Sequence, residues 1–354
     1  MSVRYETDIS SFHPAQRGFL LGAGDFLAAE KEILHSIGMQ SMSVETRERI
    51  ASIEIVIGDG TDGIAYSKSD STVVVSAPLM LVLYQLFVRL AECSDRESSS
   101  AENQEEWLLA WTAPDVLASS NRSEVTERFK IAQLFMFYHE VCHIARGHHD
   151  AKISGLSTKV EPHREALAEK RQLSSRELSR KFFELDADSQ AAAFTMQRIS
   201  AGPISRDYEG KNIVREIDES MKLVHEAFCI LFVLEDFRLS SGRTDGDLFS
   251  LQQAASTVYP HPFVRWLNAS VFARMAQRRL LREWEAVDCP QARMDSSAPD
   301  LSLLEMLGKK LGLPGERWKF ENAERQSMRE EGIWNVCLYD SLRLLFSDDL
   351  NSWN

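Results

Sequence analysis

Residues 131–145 read IAQLFMFYHEVCHIA, a run that is apolar on nearly every side of a 3.6-residue turn and whose strongly polar side chains are His139, Glu140 and His143. A helix hydrophobic all round belongs in a core. Residues four apart share one helix face, so His139 and His143 present two imidazoles to one point in space, the arrangement a zinc ion needs. Glu140 lies one step round from His139, too near to be a third ligand from the same helix but placed to touch a water held at the metal. Two histidines and a glutamate buried without partners would cost several kcal/mol, on the order that unsatisfied polar groups carry. A bound metal offsets that, and so would a set of hydrogen bonds alone. H-E-x-x-H is also short enough to arise by chance, which leaves its surroundings to carry the weight.

Working outward, Asn121 and Glu124 form a capping-box pattern and Gly147 a stop, which predicts a helix over 121–147. Ser174 and Glu177 repeat the pattern, predicting a second helix over 174–200 that ends at the breaker Ala201-Gly202-Pro203. The polar, basic stretch 151–173 between them is expected to be an exposed connection. Upstream, residues 52–79, SIEIVIGDGTDGIAYSKSDSTVVVSAP, hold β-branched runs around Gly/Asp turns and predict two or three short strands. Of these, STVVV at 71–75 is the one that could lie at a sheet edge and pair with an extended peptide. Downstream come an apolar helix near 213–238, a Gly/Ser loop, and a Pro-bounded turn at YPHPFVR that becomes helical. The expected fold class is α+β, predominantly helical. Residues 1–287 form the principal domain, and 288–354 a linker and C-terminal helical region.

Bulk properties narrow the function. The chain has 354 residues, 44% of them hydrophobic and 26% charged, as in a folded globular protein. A net charge of −13 gives nucleic-acid phosphates little to bind, so no nucleic-acid partner is expected. The apolar runs 78–89 and 227–234 fall short of the roughly 20 residues that span a bilayer. The opening MSVRYETDISSF has neither a basic nor an apolar signal region, and cytoplasmic localisation is expected. Five widely spaced cysteines without a C-x-x-C pair disfavour a disulfide scaffold or a thiolate zinc site; Cys142 is expected only to pack.

Glu184 and Asp188, in ELDADSQAA, are four apart on the second helix and share a face that could pack across the first, or merely meet solvent. H-E-x-x-H followed by E-x-x-x-D, with Ala187 before the Asp, resembles the gluzincin metallopeptidases, particularly the HtpX and CAAX-prenyl-protease group. The resemblance covers about 135–195. It implies a gluzincin-like core with Zn2+ held by His139, His143 and Glu184, and Asp188 steadying a ligand histidine. His148 matches the group's H-x-x-x-x-H, where capping the helix or lining the cleft is the expected role. His261, flanked by Pro260 and Pro262, resembles a His-Pro element that follows the zinc helices in the group; it is either the expected donor to the carbonyl oxygen, with Tyr259 and Arg265 as substitutes, or part of a structural Pro-bounded turn. Unlike that group, the chain has no transmembrane run. HEVCHIARGHH has in addition a compositional likeness to soluble intracellular peptidases such as the phage-exclusion peptidase Lit. His13, His35, His163 and His225 have no such context. The expected function is a zinc-dependent endopeptidase acting on a restricted set of polypeptides, with Glu140 as general base. The alternative is a non-catalytic zinc-binding module on the same core.

Overall fold

A computed structural model describes residues 3–60, 63–92, 123–149, 153–168, 172–206, 213–241, 262–285, 306 and 322–346. Helices dominate, with one small mixed sheet near the N-terminus. The strands are β1 (Arg4–Tyr5), β2 (Glu54–Gly58), β3 (Ala65–Ser69) and β4 (Thr72–Ser76), in the order β1-β2-β4-β3. β1 and β4 run parallel to β2, with Val56 opposite both Arg4 and Val74, while β3 returns antiparallel to β4.

The composition of the strands explains their order. EIVIG and TVVVS bury nearly every residue, as strands covered on both faces do. AYSKS is half exposed and carries Lys68, the composition of an outer strand. The expectation of a sheet edge at 71–75 is therefore corrected. β4 is internal, and β3 takes the outer position beside the helix that carries H-E-x-x-H.

That helix is α4 (Ser123–Ala145), and every residue from Ile131 to Ala145 is buried. Two helices precede the strand run, α1 (Pro14–Ser41) and α2 (Val44–Ser52), and α3 (Ala77–Glu92) follows it. After α4 come the short α5 (Ile153–Val160) and α6 (Arg164–Ala168), then α7 (Ser175–Arg206), α8 (Ile213–Ser241), α9 (Pro262–Glu285) and α10 (Asn322–Leu345). α4 packs chiefly on α7, α8 and α3, with β3 along its last turns. Phe135 anchors the α8 side, its ring 4.4 Å from Phe228 and 5.7 Å from Phe232. On the opposite side Tyr138 donates to Glu30 Oε2 at 3.1 Å, and Arg198 grips the same carboxylate through Nε at 2.9 Å and Nη2 at 3.0 Å. One buried acid thus ties α1, α4 and α7 together, and with its charge paired and bonded the burial is tolerable.

Two further expectations change. α7 runs through Gly202 and Pro203 to Arg206 rather than stopping at 201. The stretch 151–173 is partly helical and contributes Leu156, Val160, Ala168 and Leu173 to the core, because apolar residues spaced among its charges give it a buried face. α10 packs on α7 and α9, with Leu338, Leu342 and Phe346 in the same hydrophobic cluster as α4. The capping residue Asn121 lies outside the described residues, as does most of 286–321. At α7 the capping box forms, with Ser174 N–H donating to Glu177 Oε2 at 2.8 Å and Glu177 N–H to Ser174 Oγ at 3.3 Å.

Candidate metal centre

α4 and α7 cross where their polar residues meet. His139 Nε2 and His143 Nε2 lie 3.1 Å apart. Across from them, Glu184 on α7 brings one carboxylate oxygen to 3.6 Å from His139 Nε2 and the other to 3.7 Å from His143 Nε2. A tetrahedral ion with bonds of about 2.0–2.1 Å holds its ligand atoms roughly 3.3 Å apart. The three side chains offer ligand atoms within 4.8 Å of one another, and both histidines are buried.

The outer nitrogens are also committed. His139 Nδ1 faces Asp188 Oδ1 at 2.9 Å, a short but bent contact that misses good hydrogen-bond geometry. Asp188 is fully buried and gripped by both arms of Arg265, Nη2 to Oδ1 at 2.7 Å and Nε to Oδ2 at 3.0 Å. His143 Nδ1 lies 3.0 Å from His148 Nδ1. With protons on both outer nitrogens, the two inner nitrogens are bare lone pairs aimed at each other beside a carboxylate, an arrangement that a cation between them relieves. The residues present fit a divalent metal.

Titration behaviour follows from burial and neighbours. Burial raises the Asp188 carboxyl, but Arg265 and His139 together outweigh it and hold the group at about 2. Burial pushes Glu184 up against the pull of His139 and Arg265. In His139 burial works against the imidazolium, yet Asp188 and Glu140 leave the group above its ordinary value. Burial, reinforced by His139, drives His143 well below it.

Glu140 sits on the open side of the pair, with Oε1 4.0 Å from His139 Nε2. Its other oxygen accepts the Ser67 backbone N–H of β3 at 2.6 Å. A cleft beside it is lined by Ala65, Met136, Phe232, Glu235 and Arg265 among others. His149 is exposed and contacts Ser67 Oγ at 2.9 Å through Nε2. Cys142 is buried, as its packing role requires.

The structure brings together His139, Glu140, His143, Glu184 and Asp188 as the sequence pattern predicts. His261 and Tyr259 lie outside the described residues. Arg265, expected as a substitute donor to a carbonyl oxygen, is engaged with Asp188 instead, because a buried carboxylate demands a buried counter-charge. Asp186, Arg146, Tyr339 and Ser67 also meet here, beyond the residues that the H-E-x-x-H and E-x-x-x-D patterns name. The alternation of acids in ELDAD was the available signal for Asp186. Set beside protein-family models, curated proteins and solved structures, the chain matches none of them. Among the described residues no helix is long and apolar enough to cross a membrane.

Proposed function

We propose that the chain is a zinc-dependent endopeptidase with a gluzincin-like core, acting on a restricted set of polypeptides. The observation that carries this reading is the convergence of His139 Nε2 and His143 Nε2 to 3.1 Å, opposite Glu184, with a second carboxylate, Glu140, on the open side. His139, His143 and Glu184 hold the ion, which when bound supplies Lewis acidity and a water of lowered pKa. Glu140 takes a proton from the attacking water and returns it to the leaving amine, the general-base then general-acid role of a carboxylate within reach of both. Asp188, held by Arg265, keeps the His139 ring turned toward the ion. β3, an outer strand along the cleft, supports binding of a substrate as an extended chain, since outer strands offer backbone groups to pair.

The rival reading is a zinc-holding module without hydrolysis, and Glu140→Gln separates the two. That variant is expected to fold, retain about one zinc per chain, and lose the new protein N-termini that the wild type generates in a proteome digest. If wild type and variant yield the same N-termini, Glu140 is not the base and the mechanism fails. If neither yields any while both hold zinc, the module reading stands instead.

A further inference from the structure

α4 ends in a Schellman turn. Gly147 adopts φ 72°, the His148 N–H reaches back to His143 O at 2.9 Å, and the Gly147 N–H to Ile144 O at 3.1 Å. This turn folds the chain against the last turn of the helix, so a side chain five residues beyond His143 lies beside it. The His148 ring stacks on Phe183 at 4.6 Å and 21°, placing Nδ1 against His143 and Nε2 3.0 Å from Asp186 Oδ2. Asp186 is fully buried, bonded to Arg146 Nε and, at 3.2 Å, to the Tyr339 hydroxyl of α10.

With His148 neutral, proton placement along this chain has one good solution. If His148 Nδ1 is bare, it accepts the His143 Nδ1–H, and its own proton sits on Nε2, donated to Asp186. His143 then offers Nε2 as a lone pair. The reverse assignment turns a bare His148 Nε2 toward a carboxylate, two acceptors 3.0 Å apart in a buried site. Asp186 therefore selects, through His148, the tautomer of His143 that can ligate a metal.

We propose that His148 and Asp186, anchored by Arg146 and by Tyr339 from the C-terminal helix, are positioning residues that fix His143 as a metal ligand, and that α10 is by this route a working part of the metal centre. The inference rests on the metal reading above and adds a second support to the one Asp188 gives His139. The two ligand histidines are each steadied by an acid of α7 and an arginine from another element.

The test is zinc affinity of the full chain, measured by competition with a chromophoric chelator, together with the visible spectrum of the cobalt(II)-loaded protein. His148→Ala is expected to bind zinc about 10 to 100-fold more weakly, the range for a partner outside the ligand set, and to alter the cobalt bands. His148→Asn, whose Oδ1 stands where Nδ1 does and can accept from His143, is expected to regain part of the affinity. Tyr339→Phe removes one hydroxyl and is expected to weaken binding by less than about 10-fold. Wild-type affinity and an unchanged cobalt spectrum in both His148→Ala and Tyr339→Phe would overturn the proposal, as would a His148→Asn variant no better than alanine. Should His148→Ala not fold, Tyr339→Phe decides alone, and wild-type affinity there overturns it. A wild-type chain that takes up neither zinc nor cobalt brings down the metal reading itself, a result separate from any of these.

Discussion

Replacing Glu184 by glutamine should change stability in opposite directions with and without zinc. In the metal-free protein burial raises the Glu184 pKa, so keeping that carboxyl ionised costs stability, a cost that fades as the pH falls through the raised value. Glutamine has the same shape without the charge, and the metal-free variant should melt at the wild-type temperature or above it. With zinc at about 1,000 times its Kd, the wild type gains about 4 kcal/mol by mass action. An unfolding entropy of about 2.1 cal/mol/K per residue over 354 residues gives about 0.7 kcal/mol/K, which turns that gain into a rise of about 5–6 °C. Loss of a ligand should exceed the 10 to 100-fold penalty typical of an outer partner. At the same zinc concentration the variant then keeps less than about 1.4 kcal/mol, or about 2 °C. Differential scanning calorimetry of both proteins, with chelator and with zinc, reads all four values. Equal zinc-induced shifts would remove Glu184 from the ligand set, and a metal-free variant melting several degrees below wild type would refute the buried-charge argument.

Asp188→Asn should weaken zinc binding by about 10 to 100-fold, since it removes the charge that orients His139 and leaves Arg265 without its buried partner; an unchanged affinity in the chelator assay would make Asp188 merely structural. Gly147→Ala should destabilise the fold by about 1–2 kcal/mol in urea unfolding because of its positive φ. Space is not the cause there, because an added Cβ would meet Arg49 Nη1 at an ordinary 3.5 Å, and a neutral result would mean the turn relaxes freely. His225, pushed down to about 4 by burial and by Arg274, is protonated in the unfolded chain before the folded one. Stability should accordingly rise with pH between about 4 and 6.5, by up to about 3 kcal/mol. His225→Gln should flatten that slope, and an equally steep slope in the variant would place the titration elsewhere.

The parts of this molecule legible in its sequence are those that local chemistry dictates. An all-round apolar run gives the buried α4, β-branched blocks around Gly/Asp turns give β2 and β4, and the Ser174–Glu177 box opens α7. Spacing of four puts His139 with His143, and Glu184 with Asp188. What escaped reading depends on long-range partners. The strand order sets β4 inside and β3 outside, and although AYSKS has the composition of an outer strand, nothing local says which strand β2 takes as its neighbour. Gly202-Pro203 reads as a stop, yet α7 continues through it to Arg206, for which the local sequence offers no account. Tyr339 meets Asp186 across 153 positions, so nothing near either residue announces the contact. His148 was readable in principle. A glycine at the left-handed position after a helix turns the next residue back onto the final turn, and here that residue is a histidine facing a histidine.

The same turn limits how the chain can vary in length. Surface connections ordinarily absorb inserted or deleted residues with little effect, since closing a slightly longer loop is inexpensive. Between His143 and His148 that freedom is gone, because one backbone hydrogen bond spans the interval and a single glycine sets its hand. An added residue would carry His148 off the end of the helix and away from Asp186, while a deleted one would move the glycine out of the left-handed position. Homologous chains that keep this centre should therefore hold the five-residue step from His143 to His148 at constant length, with 144 and 145 kept apolar because both side chains lie in the core.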